Sequence, residues 1–163
     1  MKQLILIILM LVSSKLFAQD TSSIPNITLK TLNGANNSYS NIIKKHRLTV
    51  VSFWATWCGP CKLEIEAIND LLPEWQKVID FDFIAISVDD SRTFQKVKPL
   101  VVSSNWNFPV YVDVNQSLQK VYNYAYIPYT IIYDETGNVV YTHTGYKPGE
   151  ELDLFETIKK LHK

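Results

Sequence analysis

The segment VSFWATWCGPCK, residues 51–62, carries both cysteines of the chain, Cys58 and Cys61, directly after a run of β-branched and aromatic residues. The apolar run over residues 48–55 predicts a buried central strand. Pro60 fits the first turn of a helix, where its missing N–H costs no hydrogen bond. The sequence therefore predicts that the cysteine pair lies where a strand meets the N-terminus of a helix.

This placement favours thiol–disulfide chemistry. The thiolate is the reactive form of cysteine, and the unpaired amides and the dipole at a helix N-terminus stabilise negative charge. We expect Cys58 to be exposed, to ionise more readily than a free thiol and to act as the nucleophile. Cys61, one helical turn further on, is expected to be less exposed and to act as the resolving thiol. The two form a redox-active disulfide that needs no other cofactor.

Two structural interpretations of the pair are weaker. An inert disulfide is disfavoured because so short a loop gains little stability from closure. A zinc site needs four protein ligands, or three and a water, and His46, His143 and His162 show no ligand spacing beside a single cysteine pair. No metal is therefore expected, and His143 is interpreted as a surface residue at the end of an edge hairpin.

Composition indicates one globular domain. Of the 163 residues, 47% are hydrophobic and 20% charged, which is ordinary globular usage and sufficient for a sizeable core. The formal net charge is +0 and no long block of like charge occurs, so nothing points to nucleic acid as a partner.

The first residues differ from the rest of the chain. Lys2 precedes an unbroken apolar run over residues 4–12, which is too short to span a bilayer. This pattern predicts a signal peptide over residues 1–18, cleaved after Ala18, with an uncleaved anchor as the alternative. No cysteine lies near this segment, so lipid attachment is not expected. Residues 19–163 are then one exported domain.

Strand and helix signals alternate along that domain. An N-terminal hairpin is expected around the turn Asn33-Gly34 and a C-terminal hairpin around residues 135–138. The other predicted elements are a helix from Pro60 that bends or ends at Pro73, a strand at 81–88, a helix at 91–104 capped by Ser91, a strand at 108–112, and helices at 115–124 and 151–161. The order predicts an α/β fold whose sheet is covered on both faces.

Residues 51–62 resemble the active-site signature of the thioredoxin superfamily, and the order of elements agrees over residues 24–161. The signal segment, the N-terminal hairpin and the extra strand–helix unit around residues 81–112 resemble the exported TlpA-like branch, which includes cytochrome c maturation reductases. The resemblance implies a thioredoxin-like fold, with a central mixed sheet flanked by helices, an N-terminal hairpin and a strand–helix insertion.

The resemblance also assigns substrate-binding residues. The loop at Ile127 and Pro128 is similar to one that carries a cis-proline opposite the cysteine pair, and the main chain of Ile127 is then expected to pair with an extended substrate. Trp57, Gly59 and Pro60 are expected to contact the substrate. A group of tyrosines forms either part of the same surface or ordinary packing, namely Tyr122, Tyr124, Tyr126 and Tyr129.

One acid is a candidate for proton transfer. Glu64 matches an acidic residue that TlpA-like reductases carry near the buried thiol, here Cys61, and the resemblance implies that it accepts a proton. The alternative is an acid in the first turn that complements the helix dipole. Cytoplasmic thioredoxins have a buried aspartate at the position of Ser52, so this chain lacks that proton acceptor.

The direction of electron flow also follows from resemblance. Gly59-Pro60 is the dipeptide of reducing thioredoxins, and Ile127 before Pro128 favours the same direction. The implied function is an extracytoplasmic, periplasmic thiol:disulfide oxidoreductase that acts as a monomer and reduces protein disulfides. Its electron donor is expected to be a membrane thiol-transfer protein. Cytochrome c maturation and general redox homeostasis both remain open as its role.

The cysteine pair leaves two other functions open. A copper chaperone would use both cysteines and one histidine, since soft thiolates suit Cu(I). A thiol peroxidase is disfavoured because such relatives carry threonine three residues before the peroxidatic cysteine, where this chain has Ala55.

Overall fold

The computed structural model describes residues 24–43 and 47–162, so the predicted signal peptide and His46 lie outside the described residues. Strands and helices alternate along it as follows: β1 (Thr28–Thr31), β2 (Asn36–Ser38), α1 (Tyr39–Ile42), β3 (Leu48–Trp54), α2 (Gly59–Val78), β4 (Phe81–Ser87), α3 (Phe94–Ser103), β5 (Val110–Val112), α4 (Ser117–Tyr122), β6 (Tyr129–Tyr133), β7 (Val139–Thr144) and α5 (Glu150–Leu161). Within these residues, none of the helices is long and apolar enough to cross a bilayer.

The strands form one mixed sheet in the order β2-β1-β5-β4-β3-β6-β7. Strand β3 is fully buried, as its apolar sequence predicts. It pairs in parallel with β4, where Ser52 lies opposite Ala85, and antiparallel with β6, where Ser52 lies opposite Thr130. The two predicted hairpins are confirmed, because β1 pairs with β2 and β6 with β7. The cysteines therefore follow β3, a buried interior strand of the sheet.

Helices α2 and α5 cover the face of the sheet to which Ser52 points. Ser52 donates a hydrogen bond to Glu64 of α2. Farther along α2, the ring of Trp75 stacks on Phe155 of α5, with centroids 4.7 Å apart. This packing fixes the long helix α2 against both the sheet and α5.

Aromatic side chains from α1 and α4 cover the opposite face. Neighbouring residues of a strand point to opposite faces, so Phe53 lies on the other side of β3 from Ser52. Its ring lies 5.1 Å from that of Tyr124, which follows α4. On the same face the hydroxyl of Tyr39, in α1, is 2.7 Å from that of Tyr133, in β6. The sheet is therefore covered on both faces, as predicted.

Helix α2 differs from the prediction at Pro73. The helix does not end there but continues to Val78 with Pro73 inside it. An interior proline costs about 3 kcal/mol, and the burial of Leu72 and Trp75 on either side of it offsets that cost. The buried face also contains Glu64, whereas Leu63 is 55% exposed.

The start of α3 also differs from the prediction. Ser91 does not cap this helix, which begins at Phe94. The N-cap residue is Thr93, whose side chain makes no capping hydrogen bond. The carboxylate of Asp90 instead stabilises the turn before the helix, where it accepts hydrogen bonds from the backbone amides of Arg92 and Thr93.

Candidate active site

Cys58 is the N-cap residue of α2, with extended backbone angles φ −90 and ψ 105. Its Sγ accepts a hydrogen bond of 3.3 Å from the backbone N–H of Cys61. The two cysteines form a disulfide, with Cα atoms 5.4 Å apart. When the disulfide is reduced, the same amide and the helix dipole stabilise a thiolate at Cys58. The placement of Cys58 at the N-terminus of a helix is the one that the sequence predicts.

The two sulfurs differ in accessibility. Cys58 is 7% exposed and Cys61 is 0% exposed. The prediction that Cys58 is exposed is therefore wrong for the disulfide form. The reason is that the loop before β6 covers it, with the carbonyl oxygen of Ile127 3.9 Å from Cys58 Sγ. The order of exposure, with Cys58 more accessible than Cys61, is nevertheless as expected.

The loop opposite the disulfide contains the expected cis peptide bond, between Ile127 and Pro128. The carbonyl oxygen of Pro128 accepts a 2.8 Å hydrogen bond from the N–H of Gly145 beyond β7, which holds the loop against the sheet. Ile127 is half-buried, and its carbonyl faces the sulfur. A backbone carbonyl in this position is suited to pair with an extended polypeptide.

The other residues predicted to contact a substrate lie on the surface around Cys58. Gly59 and Pro60 are exposed, and Trp57 is 62% exposed. Tyr126, in the loop before Pro128, is 77% exposed, whereas the other three tyrosines of the predicted group pack against Phe53. Two exposed aromatic rings therefore border the disulfide.

Glu64 lies in the interior, about one helical turn after Cys61. It is 4% exposed and follows Cys61 by three residues, which places both side chains on the buried face of α2. Its carboxylate accepts hydrogen bonds from the hydroxyls of Ser52, at 3.0 Å, and Thr130, at 3.4 Å. No acidic residue occupies the first turn of α2, so the alternative role of complementing the dipole is wrong.

The environment of Glu64 suits it to proton transfer near neutral pH. Burial opposes the charged form and raises its pKa from 4.5 to about 7, although the hydrogen bonds from Ser52 and Thr130 act in the opposite direction. A carboxyl group with such a pKa can both take up and release a proton at physiological pH. Ser52, where cytoplasmic thioredoxins have the buried aspartate, thus hydrogen-bonds to an acid supplied by the helix.

A second buried carboxylate, which no sequence motif singled out, holds the segment before Cys58 by hydrogen bonds. Asp89 is 0% exposed and follows β4, beside the end of β3. It accepts hydrogen bonds from the N–H and the hydroxyl of Thr56, at 2.8 and 2.6 Å, and from the hydroxyl of Ser87, at 2.7 Å. The sequence signal for Asp89 is an acid that closely follows a buried strand. That strand, β4, pairs with β3, which precedes the cysteines.

Two of the three histidines, His143 and His162, lie within the described residues. His162 follows α5, and His143 lies on β7 in the wall of a cavity that Glu64 also lines. Across residues 24–43 and 47–162, no three side chains of His, Cys, Asp or Glu are grouped so that they could hold a metal ion. The geometry described here gives no histidine that completes a copper site with both cysteines.

A disulfide at the N-terminus of a helix that follows a buried interior strand of a mixed sheet defines a thiol-disulfide oxidoreductase of thioredoxin-like fold. The chain belongs to the AhpC/TSA family, which it matches over residues 21–142. It is similar to thiol-disulfide oxidoreductase ResA of Bacillus thuringiensis subsp. konkukian, with 28% identity over 137 residues, 84% of this chain and 75% of the relative.

Two further similarities agree with this assignment. An uncharacterized thioredoxin-like protein from Porphyromonas gingivalis, known from a solution structure, is 33% identical, with a TM-score of 0.75 over 86% of this chain and 92% of that one. Thioredoxin-like protein YneN of Bacillus subtilis is 28% identical over 136 residues, 83% of this chain and 77% of the relative. The enzyme class and the fold predicted from the sequence are thus confirmed.

Proposed function

We propose that this enzyme works outside the cytoplasm as a reductase of protein disulfides, with Cys58 as nucleophile, Cys61 as resolving thiol and Glu64 as proton acceptor. The observation that carries the proposal is the asymmetry of the pair. Cys58 Sγ accepts the amide hydrogen bond at the helix N-terminus, whereas Cys61 is fully buried three residues before a buried carboxyl group.

The proposed cycle has two exchange steps. The Cys58 thiolate attacks one sulfur of the substrate disulfide, the substrate S–S bond breaks, and the departing substrate thiolate takes up a proton. Cys61 then gives its proton to the carboxylate of Glu64 and attacks Cys58 Sγ. The mixed disulfide breaks, the substrate leaves fully reduced, and the Cys58–Cys61 bond forms again. Two electrons pass to the substrate, and an external dithiol must restore them.

The surface around Cys58 supports an extended polypeptide as the substrate. The Ile127 carbonyl lies beside the sulfur and provides a main-chain partner. The exposed rings of Trp57 and Tyr126 offer apolar contact beside the disulfide. A protein disulfide in a flexible or unfolded segment fits this surface better than a disulfide fixed in a compact domain.

Direction and location rest on the sequence. The dipeptide Gly59-Pro60 supports a reducing role, and the apolar run at residues 4–12 supports export. A membrane thiol-transfer protein as the electron donor follows from an extracytoplasmic location, since soluble reductants of the cytosol do not reach it. Apocytochrome c, an oxidised exported enzyme and a general pool of protein disulfides are the candidate substrates.

Trapping tests the assignment of the two cysteines. Cys61→Ser leaves Cys58 free to attack and removes the thiol that would release the substrate, so mixed disulfides should accumulate in the exported protein and be identifiable by mass spectrometry. Cys58→Ser, which keeps the buried thiol, is the matched control and should trap far fewer. Equal trapping by both variants would overturn the roles. A reduction potential well above about −200 mV would overturn the reducing direction.

A further inference from the structure

A cavity of about 180 Å³ lies between β7, α5 and the inner end of the active site. Its lining includes the buried residues Glu64 and Thr130 and, toward the surface, Tyr141 and His143 of β7. Eight of its nine lining residues have polar side chains, and a volume of this size is large enough for several water molecules. The buried carboxyl group therefore lines a cavity that extends toward the surface and has room for water.

The outer part of the cavity is rich in ionisable groups. The N-terminus of α5 contributes Glu150, Glu151 and Asp153. Glu150 Oε2 lies 3.6 Å from His143 Nε2 and also accepts the backbone N–H of Lys147. Glu151 accepts hydrogen bonds from the hydroxyl of Tyr146 and the N–H of Gly149.

The charge of Glu150 reaches Glu64 across the cavity. It opposes ionisation of Glu64 and raises the pKa of that group, as a minor contribution beside burial. The hydroxyls of Ser52 on β3 and Thr130 on β6 also face Glu64. The remaining ionisable side chains on β7 and α5 that share the cavity wall with it are Tyr141, His143, Glu151 and Asp153. Glu150 is therefore a charge outside the sulfur site that acts on it.

This cavity is separate from the surface that a substrate would cover. A second, smaller cavity lies beside the disulfide and is lined by Trp57, Gln119, Tyr126 and Ile127 among others, and the two share no lining residue. A polypeptide joined to Cys58 covers the second cavity and leaves the first open. The proton of Cys61 then has an exit that the substrate does not block.

We propose that the cavity between β7 and α5 is the solvent connection of Glu64 during turnover, and that Glu150 at its mouth is a positioning residue that raises the pH midpoint of the resolving step. The inference rests on the role of Glu64 in the proposed function. Glu64 takes the proton from the Cys61 thiol, the Cys61 thiolate attacks Cys58 Sγ, and the protonated Glu64 passes its proton to water in the cavity.

Two substitutions at the cavity should move the pH dependence in opposite directions. Glu150→Gln keeps the hydrogen bond from Lys147 but removes the negative charge, so Glu64 ionises more easily and the pH midpoint of the resolving step falls by about 0.2–0.7 units, the range for a partly exposed charge pair. Leu154→Phe fills part of the cavity and displaces water, so the midpoint rises.

The rate of the resolving step is measured by stopped-flow mixing with a model disulfide, from pH 5 to pH 9. Controls on the same helix are Glu156→Gln and Leu152→Phe, which change exposed side chains that do not line the cavity and should leave the midpoint unchanged. If Leu154→Phe does not fold, Glu150→Gln alone decides. An unchanged midpoint in Glu150→Gln, or an equal shift in Glu156→Gln, overturns the proposal.

A third variant separates this inference from the proposed function. Glu64→Gln should remove the midpoint near pH 7, so that the rate of the resolving step follows only the deprotonation of the Cys61 thiol. If the midpoint near pH 7 persists, the role of Glu64 itself fails. If it disappears while the cavity variants behave like their controls, Glu64 is the proton acceptor and only the solvent path is refuted.

Discussion

Replacing Glu64 by glutamine should make the oxidised protein more stable at alkaline pH and leave it unchanged at acidic pH. Glutamine has the shape of the protonated carboxyl group and can still accept the hydrogen bond from Ser52, while the hydroxyl of Thr130 can turn to accept one. The substitution therefore removes the cost of a buried negative charge without removing the contacts.

The size and sign of the effect follow from the pKa of Glu64. The folded pKa, about 7, is above the ordinary value of 4.5. A raised pKa means that the folded state holds the proton more tightly, so stability is complete below about pH 4.5 and is lost as pH rises through 7. The difference of about 2.5 units, at 1.36 kcal/mol per unit, gives about 3 kcal/mol above pH 8.

Urea unfolding of the oxidised protein between pH 4 and pH 9 measures this difference, because the disulfide keeps both thiols from titrating. Glu66→Gln, an exposed acid on the same helix, is the matched control and should follow the wild type at every pH. Parallel curves for Glu64→Gln and wild type across the whole range would refute the conclusion that burial raises this pKa.

Two further substitutions test the surroundings of the site. Ser52→Ala removes a hydrogen bond that lowers the pKa of Glu64, so the loss of stability with rising pH should begin at the same pH as in the wild type but extend to a higher pH and become larger; a decline that ends where that of the wild type ends contradicts this. Asp89→Asn places an amide against donors from Thr56 and Ser87, so one buried donor loses its partner and the free energy of unfolding should fall by about 1–3 kcal/mol in urea. The neighbouring Asp90→Asn should have a smaller effect, and equal losses would mean that burial is not the cause.

The parts of the fold that depend on local pattern were predictable from the sequence. The largely apolar run of β3, the turn at Asn33-Gly34 and the position of Cys58 at a helix N-terminus each depend on a few adjacent residues, and all three are present. Pro73 and Ser91 show where local rules fail. Helix α2 continues through Pro73 because tertiary packing stabilises it, and α3 begins only at Phe94, after a turn that Asp90 stabilises.

The environment of the site depended on long-range contacts and could not be predicted in the same way. The resemblance indicated Glu64, but a glutamate in a helix is usually exposed, and its burial is set by Ser52 and Thr130, which lie on two other elements. The burial of Asp89 could not be predicted for the same reason, since its hydrogen-bond partners come from the ends of β3 and β4. The covering of Cys58 by the Ile127 loop likewise joins distant parts of the chain.

The buried acid of this enzyme belongs to the helix of the thiols, whereas the aspartate of cytoplasmic thioredoxins belongs to the strand. Cys58, Cys61 and Glu64 all lie within residues 58–64, and the sheet contributes hydroxyl groups from two neighbouring strands to the acid. The two sulfurs and the acid therefore form a short contiguous segment at the start of one helix. A scaffold that accepts this segment must also provide two buried hydroxyls below the helix and a backbone carbonyl opposite the first sulfur.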